Sequence, residues 1–147
     1  MTGTHREHHI GRSIVALLAG IFTGVALTVA TDVVLHVVHV FPSWNEPAGD
    51  LLLLLATAYR IPFSIAGSYI VARLAPDRPM GHALVSGIIG TLVCTAGAAA
   101  TWNKGLGAHW YPLALIVLAM PCAWIGGKLR TMQMQDHSTP AYPGLHD

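Results

Sequence analysis

Charged side chains are scarce in this chain. Lys, Arg, Asp and Glu together make up 10% of its residues, against 53% for the hydrophobic types. An ordinary soluble domain carries about a quarter charged residues, so the composition excludes that class. The formal net charge of +1 supplies no basic field, and no nucleic-acid partner is expected. Cysteine is nearly absent. Cys94 and Cys122 fall inside apolar runs rather than in a Cys-x-x-Cys pair, so they define neither a disulfide framework nor a redox compartment. They are read as small residues that let helices approach. Catalytic signatures are missing too: there is no Gly-x-Ser-x-Gly elbow, no His-Glu-x-x-His, no phosphate loop and no pair of intramembrane Asp residues. No enzyme activity is expected from the motifs.

What the chain has instead is four apolar stretches, about 13–40, 51–74, 81–101 and 110–129. Each is near or above the ~20 residues needed to cross ~30 Å of hydrocarbon. The expected fold is all-α, a single four-helix transmembrane bundle over residues 13–129. Short polar segments flank it, a tail over 1–12 and a flexible tail over 130–147. The first run resembles a signal peptide in its basic start, but it continues well past the loose cleavage pattern Thr28-Val29-Ala30 and reads as a retained helix.

Basic residues orient the bundle. Arg6, Arg12, Arg73, Arg78, Lys128 and Arg130 share one side if the spans alternate, with Lys104 alone opposite. Both termini are therefore expected in the cytoplasm. Phe41, Trp44, Trp102, Trp110 and Tyr111 gather at the opposite, outer boundary, as interfacial aromatics do. The outer loops share Trp-Asn and a charge, in Trp44-Asn45-Glu46 and Trp102-Asn103-Lys104. This suggests two tandem helical hairpins. Glu46 and Lys104 would then be equivalent positions, able to pair across the mouth for about 0 to 1 kcal/mol.

The first span carries a diagonal row: Gly20, Gly24, Thr28, Asp32, His36 and His39. Residues at this spacing share one side of a helix, so the row reads as a helix contact that becomes a polar site near the outer end. Small residues elsewhere, in the row through Ser86, Gly90, Cys94 and Ala98 and the row through Leu115, Ala119, Ala123 and Gly127, are expected to be contact ridges. Gly20, Gly24, Gly90 and Gly127 are the expected packing glycines. The same rows could face a second copy or a membrane partner.

Arg60 lies well inside the second span, beside Tyr59 and shortly before Pro62. An arginine near a helix centre costs about 2.5 to 3.5 kcal/mol to insert, so it must face protein, water or a counter-ion. Asp32 precedes Pro42 by as many positions as Arg60 follows Asp50. Counted from the shared hairpin, the two charges reach similar depth. Counted from the cytoplasmic ends they differ by ~10 Å, which tilt of the longer first helix would reduce. The expected cluster is Asp32, His36, Tyr59 and Arg60, with His39, Glu46, Lys104 and His109 at the outer mouth.

Two chemistries stay open for the histidines. His36 and His39, one helical turn apart with Asp32 below, could contribute to a metal site if His109, Glu46 or Asp50 added ligands. A haem held between His36 or His39 and His109 is a rarer arrangement. The expectation is no bound cofactor.

The segments Asp32-Val33-Val34-Leu35-His36, Phe41-Pro42-Ser43-Trp44, Tyr59-Arg60, Gly67-Ser68-Tyr69-Ile70, Ala72-Arg73-Leu74-Ala75-Pro76, Arg78-Pro79-Met80 with His82-Ala83, His109-Trp110-Tyr111-Pro112-Leu113 and Pro121-Cys122-Ala123-Trp124-Ile125-Gly126-Gly127 together resemble small bacterial four-helix integral membrane proteins described only as hypothetical. The resemblance spans the chain from first to last helix. It implies bacterial origin, an inner-membrane location and one bundle, and it carries no activity. Two function classes follow from the residues: a polar intramembrane cavity that handles a proton, ion or small solute, and an accessory membrane protein whose Asp32–Arg60 pair only fixes helix packing.

Overall fold

A computed structural model describes residues 3–44 and 46–136. Four helices follow in order: α1 (Gly3–Val37), α2 (Asp50–Leu74), α3 (Pro79–Thr101) and α4 (Trp110–Asp136). All four are long and apolar enough to cross a membrane, the architecture of a multi-pass membrane protein. The bounds differ from the sequence expectation at both ends. Helix α1 begins at Gly3, inside the expected polar tail, and α4 continues to Asp136. Residues 137–147 of the expected flexible tail, and Asn45 of the first Trp-Asn motif, lie outside the described residues.

Helix ends follow local chemistry. Helix α1 stops at Val37, and His39 takes a left-handed conformation, φ 60°. The amides of Val38, His39 and Val40 close back on the carbonyls of Val34, His36 and Leu35. These bonds satisfy the last carbonyls of the helix, and Pro42 cannot continue it. His39 is thus outside α1, and the expected helical pairing of His36 with His39 on one face is not formed. At the start of α2, Asp50 places negative charge on the positive end of the helix dipole. Helix α3 opens with Pro79 in its first turn, where a missing N–H costs nothing. Pro62 and Pro121 sit inside α2 and α4.

Helix α2 is the hub. It packs closely on α1 and α4, α4 packs on α3, and α3 meets α2 as well. Helices α1 and α3 touch only sparsely, and among the described residues α1 makes no packing interface with α4. Two equivalent hairpins would have α1 meet α4 as α3 meets α2. The hairpins are therefore present but not equivalently packed. They are tied at the end of the bundle that carries the α1–α2 and α3–α4 loops, where the Ala48 amide bonds the Leu106 carbonyl at 3.0 Å and the Trp110 indole N–H donates to Asp50 Oδ1 at 3.0 Å.

Large side chains point outward and small ones inward. The fully buried set is dominated by alanine, with Ala16, Ala56, Ala72, Ala83 and Ala123 among its members, and Val71 is its largest described side chain. Phe22, Leu51, Val93 and Val117 stand exposed on the outside. That distribution suits lipid surroundings, in which helices associate through close backbone approach rather than through burial of bulky apolar groups.

Glycine makes the approach. A Cβ added to Gly20 would overlap the Val71 side chain and the Gly67 carbonyl oxygen, so α1 and α2 cross backbone to backbone at this point. On α4, a Cβ at Gly126 would lie 2.6 Å from the Ile65 carbonyl oxygen and 2.8 Å from the Tyr69 nitrogen of α2. A Cβ at Gly127 would lie 2.8 Å from the Ala83 Cβ, and one at Gly87 would lie 2.6 Å from the Ala123 Cβ. Gly20 and Gly127 thus both stand at close helix approaches. Gly24 and Gly90 do not define tight crossings, since a Cβ there would meet nothing closer than 3.5 Å and 3.9 Å. The row through Ser86, Gly90 and Cys94 borders a cavity, as does the adjacent Gly87, while Ser86 and Ala98 at its two ends are buried. Rotating by one residue along α3, to Ala83 and Gly87, gives the face that packs on α4.

Candidate functional site

Asp32 and Arg60 meet. Arg60 Nη2 donates to Asp32 Oδ2 at 2.6 Å, and the Tyr59 hydroxyl donates to Asp32 Oδ1. The depth counted from the shared hairpin is therefore the correct one. The side chains are 18% exposed for Asp32 and 23% for Arg60, so neither stands free in the hydrocarbon and neither is sealed off. A charge-assisted hydrogen bond supplemented by the phenol is the arrangement that makes an intramembrane carboxylate tolerable. Arg60 also lies between two aromatic faces, with its guanidinium carbon 5.7 Å from the Tyr59 ring centroid and 5.6 Å from that of Tyr111. The cluster thereby joins α1, α2 and α4.

Sequence reasoning placed Tyr111 in the interfacial belt and missed its place against Arg60. Its contact with Arg60 depends on the offset between α2 and α4, which belong to different hairpins and share no turn that fixes their relative depth.

His36 stands apart from the carboxylate. Its Nδ1 donates to the Asp32 backbone carbonyl at 2.7 Å, which fixes the proton on that nitrogen. The ring stacks on Trp44, centroids 3.7 Å apart and planes within 2°, and on Phe41 at 5.4 Å. The loop after α1 folds its aromatics onto His36, so this residue caps the loop end. Phe41 and Trp44 were visible in sequence as interfacial aromatics, but their stacking on His36 depends on the turn at His39.

The expected mouth residues are dispersed. His109 Nε2 lies 3.2 Å from the Trp102 carbonyl oxygen, and its ring packs at a tilt on Trp102. His39, Glu46 and Lys104 are exposed. Among the described residues, Glu46 and Lys104 form no ion pair with each other. No group of three or more His, Cys, Asp and Glu side chains converges among the described residues as a metal site would.

Two cavities flank the cluster. The first, about 300 Å³, lies between α1 and α3 with α2 and α4 behind it; Gly24, Thr28, Ser64, Gly90 and Leu118 contribute to its walls. It is largely apolar, with hydroxyls from Ser64, Ser68, Ser86 and Thr28 along its length. Ser86 Oγ donates to the Ala83 carbonyl at 2.7 Å and lies 3.4 Å from Ser68 Oγ. The second, about 410 Å³, opens at the loop end between α2, α3, α4 and the α3–α4 loop, against Leu53, Thr101, Trp102, His109 and Tyr111. Arg60, Cys94 and Leu115 line both. Past the first cavity, toward the chain termini, His82 Nε2 lies 2.9 Å from the Ser13 hydroxyl and links α3 to α1. The polar groups thus form a broken file along the bundle, with the Asp32–Arg60–Tyr59 cluster at its waist.

No family model matches the chain, and no curated protein or solved structure is significantly similar to it. The functional reading therefore rests on these side chains and their arrangement.

Proposed function

We propose that this is a bacterial inner-membrane protein, with both termini cytoplasmic, whose two cavities form a path for a proton, ion or small solute controlled at the Asp32–Arg60–Tyr59 waist. One observation carries the reading: Arg60 borders both cavities, so anything passing between them passes a fixed charge pair. Intramembrane charges that face a cavity are the usual markers of such paths. The proposal requires no metal or haem. The orientation rests on the excess of Arg and Lys near the chain termini and the α2–α3 loop.

A second reading has its own support. Both carboxylate oxygens of Asp32 are engaged by α2, and α1 has little other attachment beyond its glycine crossing with α2. The pair would then act as a lock that fixes α1, in an accessory protein without transport activity.

The Asp32→Asn variant separates the two. Asparagine retains an oxygen acceptor for Tyr59 or Arg60 and removes the charge. In proteoliposomes loaded with a pH-sensitive or ion-sensitive dye, the wild-type protein is expected to dissipate the imposed proton or ion gradient that the dye reads, and Asp32→Asn to lose most of that flux while eluting as a folded bundle. A wild-type protein with no flux, or a variant whose only defect is unfolding, selects the lock.

A further inference from the structure

Arg60 offers more donors than the protein uses. A guanidinium carries five N–H groups. Here Nη2 is engaged by Asp32, and among the described residues nothing accepts from Nε or Nη1. Arg60 borders both cavities, so the spare donors are available to a guest. Because the guanidinium only donates, that guest must present an acceptor.

The charge of the site selects among acceptors. Arg60 and Asp32 neutralise each other. An anionic guest on the spare donors would stand close to the Asp32 carboxylate in surroundings of low dielectric, where like charges repel strongly. A neutral carbonyl oxygen takes the hydrogen bond without that repulsion.

The walls select the rest of the molecule. On one side of Arg60 is an apolar cleft bordered by Val25 and Val29 of α1 and Val93 of α3, and those two helices barely touch. All three valines are more than half exposed, so the cleft communicates with whatever surrounds the bundle. On the other side, Trp102, His109 and Tyr111 border a chamber of about 410 Å³. Flat rings of this kind receive a planar group by stacking. Both volumes fall in the range of small-molecule sites, about 300 to 1,000 Å³.

We infer that the protein binds a bilayer-soluble amphiphile with a planar, neutral, carbonyl-bearing head and an apolar tail, the chemical class of the isoprenoid quinones. The head occupies the chamber and accepts from Arg60, and the tail lies in the α1–α3 cleft. The inference rests on the reading of the two cavities as a ligand path, and it names the class of ligand. It assigns binding only and includes no redox step.

The test is equilibrium binding of decylubiquinone to the purified full-length protein in detergent, read as quenching of tryptophan fluorescence. Saturable quenching is expected. Gly90→Leu should weaken it at least tenfold, because the new side chain enters the cleft at a position where the nearest atom to an added Cβ is the Ala119 Cβ at 3.9 Å. The double variant Asp32→Asn/Arg60→Met removes the donors without leaving a charge unpaired and should weaken binding about tenfold, the loss of one or two hydrogen bonds. Circular dichroism and elution volume identify folded variants.

Absence of saturable quenching in the wild-type protein overturns the inference. So does undiminished binding by both folded variants, or stronger competition by decanoate than by decylubiquinone. Gradient dissipation without quinone binding defeats the ligand class alone and leaves the path reading intact. Quinone binding by a protein that dissipates no gradient supports the ligand class and defeats the path for protons and ions.

Discussion

Asp32→Ala is expected to destabilise the bundle by about 2 to 3 kcal/mol, at or below the low end of the cost of removing one partner from a buried ion pair, because this pair is only partly buried. The substitution takes away the acceptor of two donors at once, the Tyr59 hydroxyl and Arg60 Nη2. It leaves a guanidinium inside a membrane-spanning segment with no counter-ion. It also frees α1, which depends on α2 for nearly all of its packing. The double variant Asp32→Asn/Arg60→Met should recover most of the loss, since neutralising both partners removes the uncompensated charge. Such non-additivity is the signature of direct coupling. Unfolding of the purified protein by titration of a denaturing detergent, followed by circular dichroism, measures both variants. A midpoint unchanged in Asp32→Ala, or a double variant as unstable as the single, contradicts the coupling.

Gly126→Ala is expected to cost about 2 kcal/mol despite the better helix propensity of alanine, because overpacking of a closed contact costs roughly 1 to 3 kcal/mol. The added Cβ would lie 2.6 Å from the Ile65 carbonyl oxygen, 2.8 Å from the Tyr69 nitrogen and 2.9 Å from the Ser68 Cβ. Two of these atoms are backbone, so no side-chain rotation relieves the contact, and α2 and α4 must separate. Gly90→Ala is the matched control. With nothing inside 3.9 Å of the new Cβ, it should leave stability unchanged or raise it by up to about 1 kcal/mol through helix propensity. The same detergent titration, with elution volume to report helix separation, compares the two. Equal effects at both positions would refute the assignment of the tight crossing to Gly126.

The first of these sites is legible in the sequence and the second is not. The four spans are readable because apolar length and turn chemistry are local properties. The Asp32–Arg60 pair is readable because one hairpin fixes the relative depth of its two helices, so counting from the turn suffices. Counting from the far ends fails because α1 is the longest helix and extends beyond its partners.

Gly67 and Gly126 carry no packing signal in the sequence, since each belongs to no extended small-residue row and gains its meaning from the backbone opposite it. Gly90 reads as part of a ridge because a row at spacing four specifies a face but not the neighbour of that face. The neighbouring row, through Ala83 and Gly87, is rotated by about 100° and is equally small. The apolar run continuing to Val40 carries the helix pattern past His39, whereas the turn before Pro42 ends α1 at Val37. The chemistry at the waist is legible in type, an acid, a base and a phenol, whereas its position between two cavities depends on α1 and α3 standing apart, which no local pattern encodes.

Cys94 reports directly on the central claim that a polar path reaches the waist, because its side chain borders both cavities beside Arg60. In Cys122→Ala protein reconstituted into sealed vesicles, Cys94 is the sole thiol. A small, charged, membrane-impermeant methanethiosulfonate reagent should modify it through the chamber at the loop end, and Leu53→Trp, which fills that chamber, should slow the modification at least tenfold. A Cys94 that stays unmodified in vesicles, yet reacts once the protein is denatured, would mean that the waist is dry and that the Asp32–Arg60 pair is a lock.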